Sequence, residues 1–128
     1  MKKIEILSKA DQIDAILEDR LEQALREKIP DLTAYDLLRS LTFTRKDLVE
    51  HLRRNLRATN KYFDMHEGAE PPPGTQIEVL HDVPVMMRES SGEYRVGWMD
   101  RGVMTDARRF NDLSEAVAHY IMLSAGMD

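Results

Sequence analysis

The residue types that could perform chemistry are spread along this chain rather than grouped. Its four histidines, at positions 51, 66, 81 and 119, include no pair three or four residues apart, the spacing by which one helix face holds a metal ion. The chain has no cysteine, which excludes disulfides, zinc–thiolate sites and thiol catalysis. Ser90 and Ser91 lack the flanking glycines of a nucleophile elbow. These patterns predict a protein that is not an enzyme and that holds no metal and no cofactor.

Carboxylates are the remaining candidate chemistry. Asp100 and Asp106 could face each other across a hairpin as an acid–base pair, but the many acids around them favour a solvated charged surface. From Asp64 onward the chain has 12 Asp and Glu against 5 Arg, whereas up to Phe63 it has 13 Lys and Arg against 11 acids. An acidic C-terminal half would attract a basic partner and repel nucleic acid.

The N-terminal half has the apolar spacing of helices. Ser8 precedes a stripe of apolar residues three and four positions apart, which predicts one helix that ends before Pro30. Asp31 or Thr33 could cap a second helix, and Thr44 opens a third that runs to Phe63. The pattern leaves open whether residues 2–7 form a strand or extend the first helix.

The C-terminal half changes to strand composition after a proline-rich connector. The predicted strands are Gln76–Leu80, Val83–Arg88, Tyr94–Met99 and Val103–Phe110, with turns at Ser90–Glu93 and Asp100–Gly102. Pro84 lacks an N–H group, so its strand must lie at an edge or be broken there. Asn111 or Asp112 could cap a final helix, and Gly126 could end it.

These elements predict an α+β fold, in which an N-terminal three-helix lobe packs on a small antiparallel β-meander closed by a C-terminal helix. At 128 residues we expect one domain, made of a helical lobe (1–64), a connector (65–75) and a meander with its helix (76–128). No apolar run is long enough to cross a membrane, and Glu5, Lys9 and Asp11 interrupt any signal-like N-terminus. We therefore expect a cytoplasmic protein without a membrane partner.

A basic helix offers an alternative interpretation. Arg53, Arg54 and Arg57 lie along the predicted helix 45–61, which together with the preceding helix could form a helix-turn-helix with the hairpin as a wing. These arginines lie beyond the N-terminal turns that normally contact bases, and they equally suit the negative end of a helix dipole. A DNA-binding regulator is therefore the alternative, and the charge balance argues against nucleic acid.

The last third of the chain resembles a known family. Tyr94-Arg-Val-Gly-Trp-Met-Asp-Arg-Gly-Val103, followed by Arg109-Phe-Asn-Asp-Leu-Ser-Glu-Ala-Val-Ala-His-Tyr120, is similar to the C-terminal part of several immunity proteins. These bacterial proteins neutralise polymorphic and contact-dependent growth-inhibition toxins. The resemblance covers residues 77–123. It implies a cytosolic inhibitor that binds the C-terminal domain of a cognate toxin without catalysis, and it transfers no binding residue onto this chain.

The acidic half suggests where such a partner would bind. Opposite potentials speed encounter with a basic toxin domain, and a partly exposed aromatic residue can supply central binding energy. The candidate partner-binding residues are Glu89, Glu93, Tyr94, Trp98, Asp100 and Asp106. For Trp98 the competing expectation is a core position beneath the final helix, and for the acids it is ordinary surface charge.

Overall fold

The computed structural model describes residues 3–68, 83–100 and 103–127. Within them lie the helices α1 (Lys9–Leu17), α2 (Leu21–Lys28), α3 (Ala34–Arg39), α4 (Arg45–Arg54), α5 (Leu56–His66) and α6 (Leu113–Ser124), and the strands β1 (Val83–Arg88), β2 (Tyr94–Asp100) and β3 (Val103–Phe110). The strands form an antiparallel sheet in the order β1-β2-β3, which α6 follows. The α+β class is confirmed, as are the meander and the C-terminal helix. The predicted strand Gln76–Leu80 lies outside the described residues.

Contacts divide the chain into two compact units, Met1–Asn55 and Leu56–Asp128. The first, called here the helical unit, contains α1 to α4. The second, called the sheet unit, contains α5, the sheet and α6. The helix α5 thus belongs with the strands, although the sequence placed these residues in the helical lobe. The expectation of a single domain stays a prediction.

The first predicted helix is divided in two at Asp19. This residue has a left-handed backbone, with φ of 54°. Its N–H donates to Ile16 O, and the N–H of Arg20 donates to Ala15 O, at 3.0 and 2.9 Å. This pair of bonds ends α1 as a Schellman motif, which glycine usually supplies. An aspartate at this position does not signal a helix end in the sequence. Because the apolar spacing continues beyond it, the sequence predicted one helix where the structure has two.

The third predicted helix is divided at Asn55, whose φ of −131° and ψ of 56° are not helical. The Asn55 side-chain amide donates to His51 O at 2.8 Å and so satisfies one of the free carbonyls at the end of α4. The chain then starts α5 at Leu56. A continuous helix 45–61 is therefore replaced by two helices that lie in different units.

Side-chain caps begin three helices of the helical unit. Ser8, Thr33 and Thr44 each accept a hydrogen bond from the backbone N–H three residues later, at 3.1 Å. The Asp47 carboxylate completes a capping box by accepting from Thr44 N, and this bond lowers the pKa of Asp47. The local sequence thus fixes these helix starts where the Ser8, Thr33 and Thr44 patterns predict them.

A buried glutamine joins α1 to the segment before α4. Gln12 is fully buried, and its Nε2 donates to Leu7 O and to Thr42 Oγ1, both at 2.8 Å. Its Oε1 accepts from Thr42 N at 2.9 Å. Every polar atom of this side chain therefore has a partner, which is the condition for burying an amide at little cost. The apolar core of the helical unit includes a cluster of Leu7, Ala15, Ala24, Leu25 and Leu32.

The core of the sheet unit lies between the sheet and its helices. Met86 and Val96 face each other on β1 and β2, and both are fully buried. Phe63 on α5 is 1% exposed. Most of α6 is buried as well, and its C-terminal end is a Schellman motif with Gly126 at φ 67°. The core of the sheet unit is thus made of apolar residues at the positions that the alternating pattern of the strands and the helical pattern predict.

The sheet has an irregularity between β2 and β3. Val96 pairs with Arg108 and Trp98 with Thr105, so two residues of β3 stand opposite Gly97 alone. One of them, Asp106, has a left-handed backbone with φ of 52°. A Cβ on Gly97 would lie 2.8 Å from Thr105 O, which is closer than real contacts allow. The β-bulge therefore requires glycine at position 97.

Candidate functional site

Glu89 and Glu93 lie together at the β1–β2 hairpin. Glu89 N donates to Glu93 O at 2.8 Å, and Gly92, with φ of 92°, donates its N–H to Glu89 O. The Glu89 carboxylate accepts from Arg109 Nε at 2.7 Å on β3. This hydrogen bond, aided by the charges of Arg109 and Arg95, lowers the pKa of Glu89. Glu89 is therefore engaged inside the sheet, whereas the Glu93 carboxylate accepts from the hydroxyl group of Ser91 at 3.4 Å.

Tyr94 is part of an aromatic and cationic stack. Its ring meets Phe63 edge-on with centroids 5.4 Å apart. The guanidinium of Arg88 lies 5.4 Å from both ring centroids. A cation over two rings stabilises this end of the sheet. The half-buried Tyr94 therefore serves packing within the sheet unit first, and its predicted role toward a partner stays a prediction.

Trp98 is neither fully buried nor fully exposed. It stands between Pro84 on β1 and Thr105 on β3, on the side of the sheet that carries Val96. It does not belong to the buried core of the sheet unit, in contrast to Val96 two residues earlier. The indole therefore has surface left for another molecule, which is the condition for an aromatic binding anchor.

The structure does not bring the four predicted acids together. Asp100 is the last residue of β2 and pairs with Val103. It is half buried and already interacts with another group of the chain. Six residues of extended strand separate it from Tyr94 at the hairpin end, a distance of about 20 Å. Asp106 is exposed at the bulge. Asp100 and Asp106 therefore do not face each other across the hairpin, and the candidate surface is distributed along the sheet.

The sheet is also less acidic than its half of the chain. Residues 83–110 contain four acids and five arginines, a net charge of +1. The acids that make the C-terminal half negative lie at 64–82, which has five, and at 111–128, which has three, with no Lys or Arg in either segment. The sheet thus carries charges of both signs. The net charge of the whole C-terminal half did not reveal this.

Two arginines that sequence reasoning did not single out lie on one face of the sheet. Arg95 and Arg109 are directly opposite each other on β2 and β3. A regular hairpin around the predicted turn at 100–102 would instead place Ala107 opposite Arg95. The bulge and the pairing of Asp100 with Val103 together shift the register, so no pattern in the sequence could have identified this pair.

The basic helix of the alternative interpretation does not form as one element. Arg53 and Arg54 belong to α4 and Arg57 belongs to α5, on either side of Asn55. Arg53 already has an interaction within the chain. In the helical unit, α4 packs on α1, where His51 Nε2 and Asp14 Oδ1 are 2.8 Å apart. The division at Asn55 leaves DNA binding without the long basic helix on which it was based.

Neither a metal site nor a membrane-spanning helix is present in the described part of the chain. Among residues 3–68, 83–100 and 103–127, no group of three or more histidine or carboxylate side chains is placed to hold a metal ion. None of the helices described is long and apolar enough to cross a membrane.

Comparison of the chain with protein-family models, with curated proteins and with solved structures gave no match. The similarity of residues 77–123 to immunity proteins therefore rests on the sequence motifs alone.

Proposed function

We propose that this protein is a bacterial immunity protein that neutralises the C-terminal domain of a cognate toxin by stoichiometric, non-catalytic binding in the cytoplasm. The observation that carries the proposal is the paired motif Trp98-Met-Asp-Arg-Gly102 and Phe110-Asn-Asp-Leu-Ser-Glu-Ala116. In the structure the first three residues of the first motif end β2, and the second motif joins β3 to α6, with Asp112 as the helix cap.

The exposed apolar side chains support a binding function. Val103 on β3 is 63% exposed, and Tyr35 and Leu38 on α3 are 57% and 43% exposed. Tyr35 and Leu38 lie three residues apart on one face of α3, and adjacent exposed apolar residues are typical of surfaces that meet another protein. With the partly exposed Trp98, the sheet unit offers an aromatic anchor of the kind that dominates binding energy.

Charge would then contribute mainly to the rate of association. Asp106 is exposed and Asp100 is partly exposed, so these are the acids best placed to attract a basic toxin domain. Glu89 is a weaker candidate because Arg109 already neutralises it. Rim charges change the association rate and its salt dependence more than they change the lifetime of a complex.

Co-expression with the toxin domain encoded by the neighbouring gene tests the proposal. The chain should restore growth, and the two proteins should co-purify in a one-to-one complex with a dissociation constant of about 1 nM or below, near −12 kcal/mol. Rescue at strongly substoichiometric amounts would indicate catalysis instead. A sequence-specific gel shift with duplex DNA at physiological salt would favour the regulator. An active neighbouring toxin that this protein fails to inhibit would contradict the proposal.

Two substitutions locate the interface. Trp98→Ala should weaken the complex about thirtyfold or more if the indole is a central anchor, since hot-spot truncations cost roughly 2 kcal/mol or more. Asp106→Asn removes the charge while asparagine still tolerates the left-handed backbone. It should slow association at low salt, whereas Asp31→Asn, an exposed acid of the helical unit, is the matched control. Equal effects of Asp106→Asn and Asp31→Asn would show only a net-charge response.

A further inference from the structure

The two opposed arginines of the sheet are an unusual arrangement for a small fold. Side chains directly opposite on antiparallel strands have Cβ atoms about 5 Å apart, and like charges there destabilise the pairing. Arg95 and Arg109 occupy such a position. On the other side of Arg95 stands Met87 of β1, which carries no charge to compensate. The sheet therefore holds two positive charges together at a cost in stability.

In the described part of the chain, no oxygen atom accepts a hydrogen bond from Arg95. Its Nε is buried and has no hydrogen-bond partner. Its Nη2 donates to the sulfur of Met87 at 3.0 Å, and a thioether is a weak acceptor. A buried donor without a good acceptor is destabilising, the more so when it belongs to a charged group. Among the described residues, the charge of Glu89 acts on this guanidinium, but the hydrogen bond of that carboxylate goes to Arg109.

Arg109 is only partly neutralised. Its side chain is 59% exposed, and its Nε donates to Glu89, while the other nitrogens of the guanidinium fork extend beyond that bond. The hydrogen bond to Glu89 is the main cause of a raised pKa at Arg109, and the charge of Glu93 adds a smaller effect. Arg95 and Arg109 thus carry two positive charges, and among the described residues the single negative charge hydrogen-bonded to them is that of Glu89.

We propose that Arg95 and Arg109 form a binding site for an oxyanion, a carboxylate or phosphate group whose oxygens accept from both guanidinium groups. Arginine is suited to such groups because its planar fork matches their geometry. The ligand would take the place that the Met87 sulfur now occupies next to Arg95. Methionine has a flexible unbranched side chain, so its displacement is easy. Binding would relieve both the repulsion between the arginines and the missing acceptor.

The register explains why these two residues meet. The bulge opposite Gly97 moves Arg109 into line with Arg95, and Gly97 is required because the backbone of β3 approaches it closely. Arg108, the next residue of β3, pairs with Val96 and lies on the opposite face. The site is therefore specific to one face of the sheet, and Arg108 provides a matched control of equal charge.

The test is an NMR titration of the arginine Nε–H signals at constant ionic strength. The probes are inorganic phosphate and a hexaglutamate peptide, each added to the full-length protein, with sodium chloride as the reference salt. We expect a saturable shift of the Arg95 and Arg109 signals with at least one probe. Arg95→Gln and Arg109→Gln should each weaken that binding about tenfold or more, whereas Arg108→Gln should leave it within about twofold.

The two probes separate the sources of the oxyanion. A response to phosphate alone assigns the site to a phosphate group, and a response to the peptide alone assigns it to an acidic protein segment. Equal responses to chloride and to both probes would overturn the proposal, as would an Arg108→Gln effect as large as that of Arg109→Gln. Neither the toxin nor the immunity function enters this experiment, so its outcome stands independently of them.

Discussion

The helical unit, Met1–Asn55, and the sheet unit, Leu56–Asp128, are stabilised in different ways. In the helical unit, three of the four helices begin at a capping side chain, and none has more than ten residues. In the sheet unit, the twelve-residue helix α6 is buried along most of its length. The short helix α3 has no buried residue at all. Short helices are marginal alone, so local caps and the Gln12 contacts matter more where little apolar surface is covered. The sheet unit instead depends on apolar contacts between residues distant in sequence.

The largest expected effect concerns the core of the sheet unit. Phe63→Ala removes a ring that is 1% exposed and that supports both Tyr94 and Arg88, so it should lower the free energy of unfolding by about 3–5 kcal/mol. Urea unfolding measures the loss, and amide exchange should rise in β1 and β2. The control Tyr35→Ala, at an exposed ring, should cost less than about 1 kcal/mol. Similar losses for the two would refute the role assigned to Phe63.

The next effect tests the polar contacts of the helical unit. Gln12→Ala leaves the N–H of Thr42 and the carbonyl of Leu7 without their partners, so we expect a loss of about 2–3 kcal/mol. Gln23→Ala, an exposed glutamine on α2, should change stability by less than about 0.5 kcal/mol. Faster amide exchange at Thr42 would locate the effect. If the two glutamine variants were equally stable, the buried amide would not be what joins α1 to residue 42.

A smaller effect is expected at a helix cap. Thr44→Ala removes the acceptor for Asp47 N and should cost about 1 kcal/mol, measured by urea unfolding. Thr33→Ala removes the corresponding bond from α3. Because no side chain of α3 is fully buried, fraying there loses fewer apolar contacts, and we expect the smaller loss from Thr33→Ala. The reverse order would mean that α3 contributes more to the helical unit than its exposure indicates.

The smallest effect is the pH dependence of the Glu89–Arg109 pair. Because the pKa of Glu89 is lowered in the folded state, the pair adds stability above the ordinary value of 4.5 and loses it as the pH falls below that value through the lowered pKa. Carboxyl NMR titration should give a midpoint below 4.5. Glu89→Gln should flatten the acid side of the stability profile slightly, since exposed pairs contribute little. A Glu89 midpoint at or above 4.5 would rule out the pairing in solution.

The two halves also differ in how well the sequence predicts them. Caps at Ser8, Thr33 and Thr44 and the strands around Gly92 follow from local residue preferences, and these predictions are confirmed. The helix ends at Asp19 and Asn55 could not be predicted in this way, because neither has the glycine or proline that usually marks a break.

The candidate site was less accessible to sequence reasoning. Pairing across strands decides which residues share a face, and a one-residue bulge changes that pairing without any change in composition. The sequence therefore named acids such as Glu89 and Asp100 that the sheet separates, and it did not identify Arg95 opposite Arg109. The net charge of half a chain does not show where the charges lie. It therefore did not show that a sheet with both acids and arginines lies between two acidic segments.

The bulge at Asp106 has a consequence for behaviour at high concentration. A straight outer strand presents a row of backbone groups on which another copy can add its own strand, the first step of ordered aggregation. At the β3 border of the described sheet, the left-handed turn of Asp106 bends that row, and Arg108 and Arg109 add charge to it. At the β1 border, Pro84 lacks the N–H, and Gly68 N already bonds Met86 O. Both borders of the described sheet thus resist the addition of a strand from another copy of the chain.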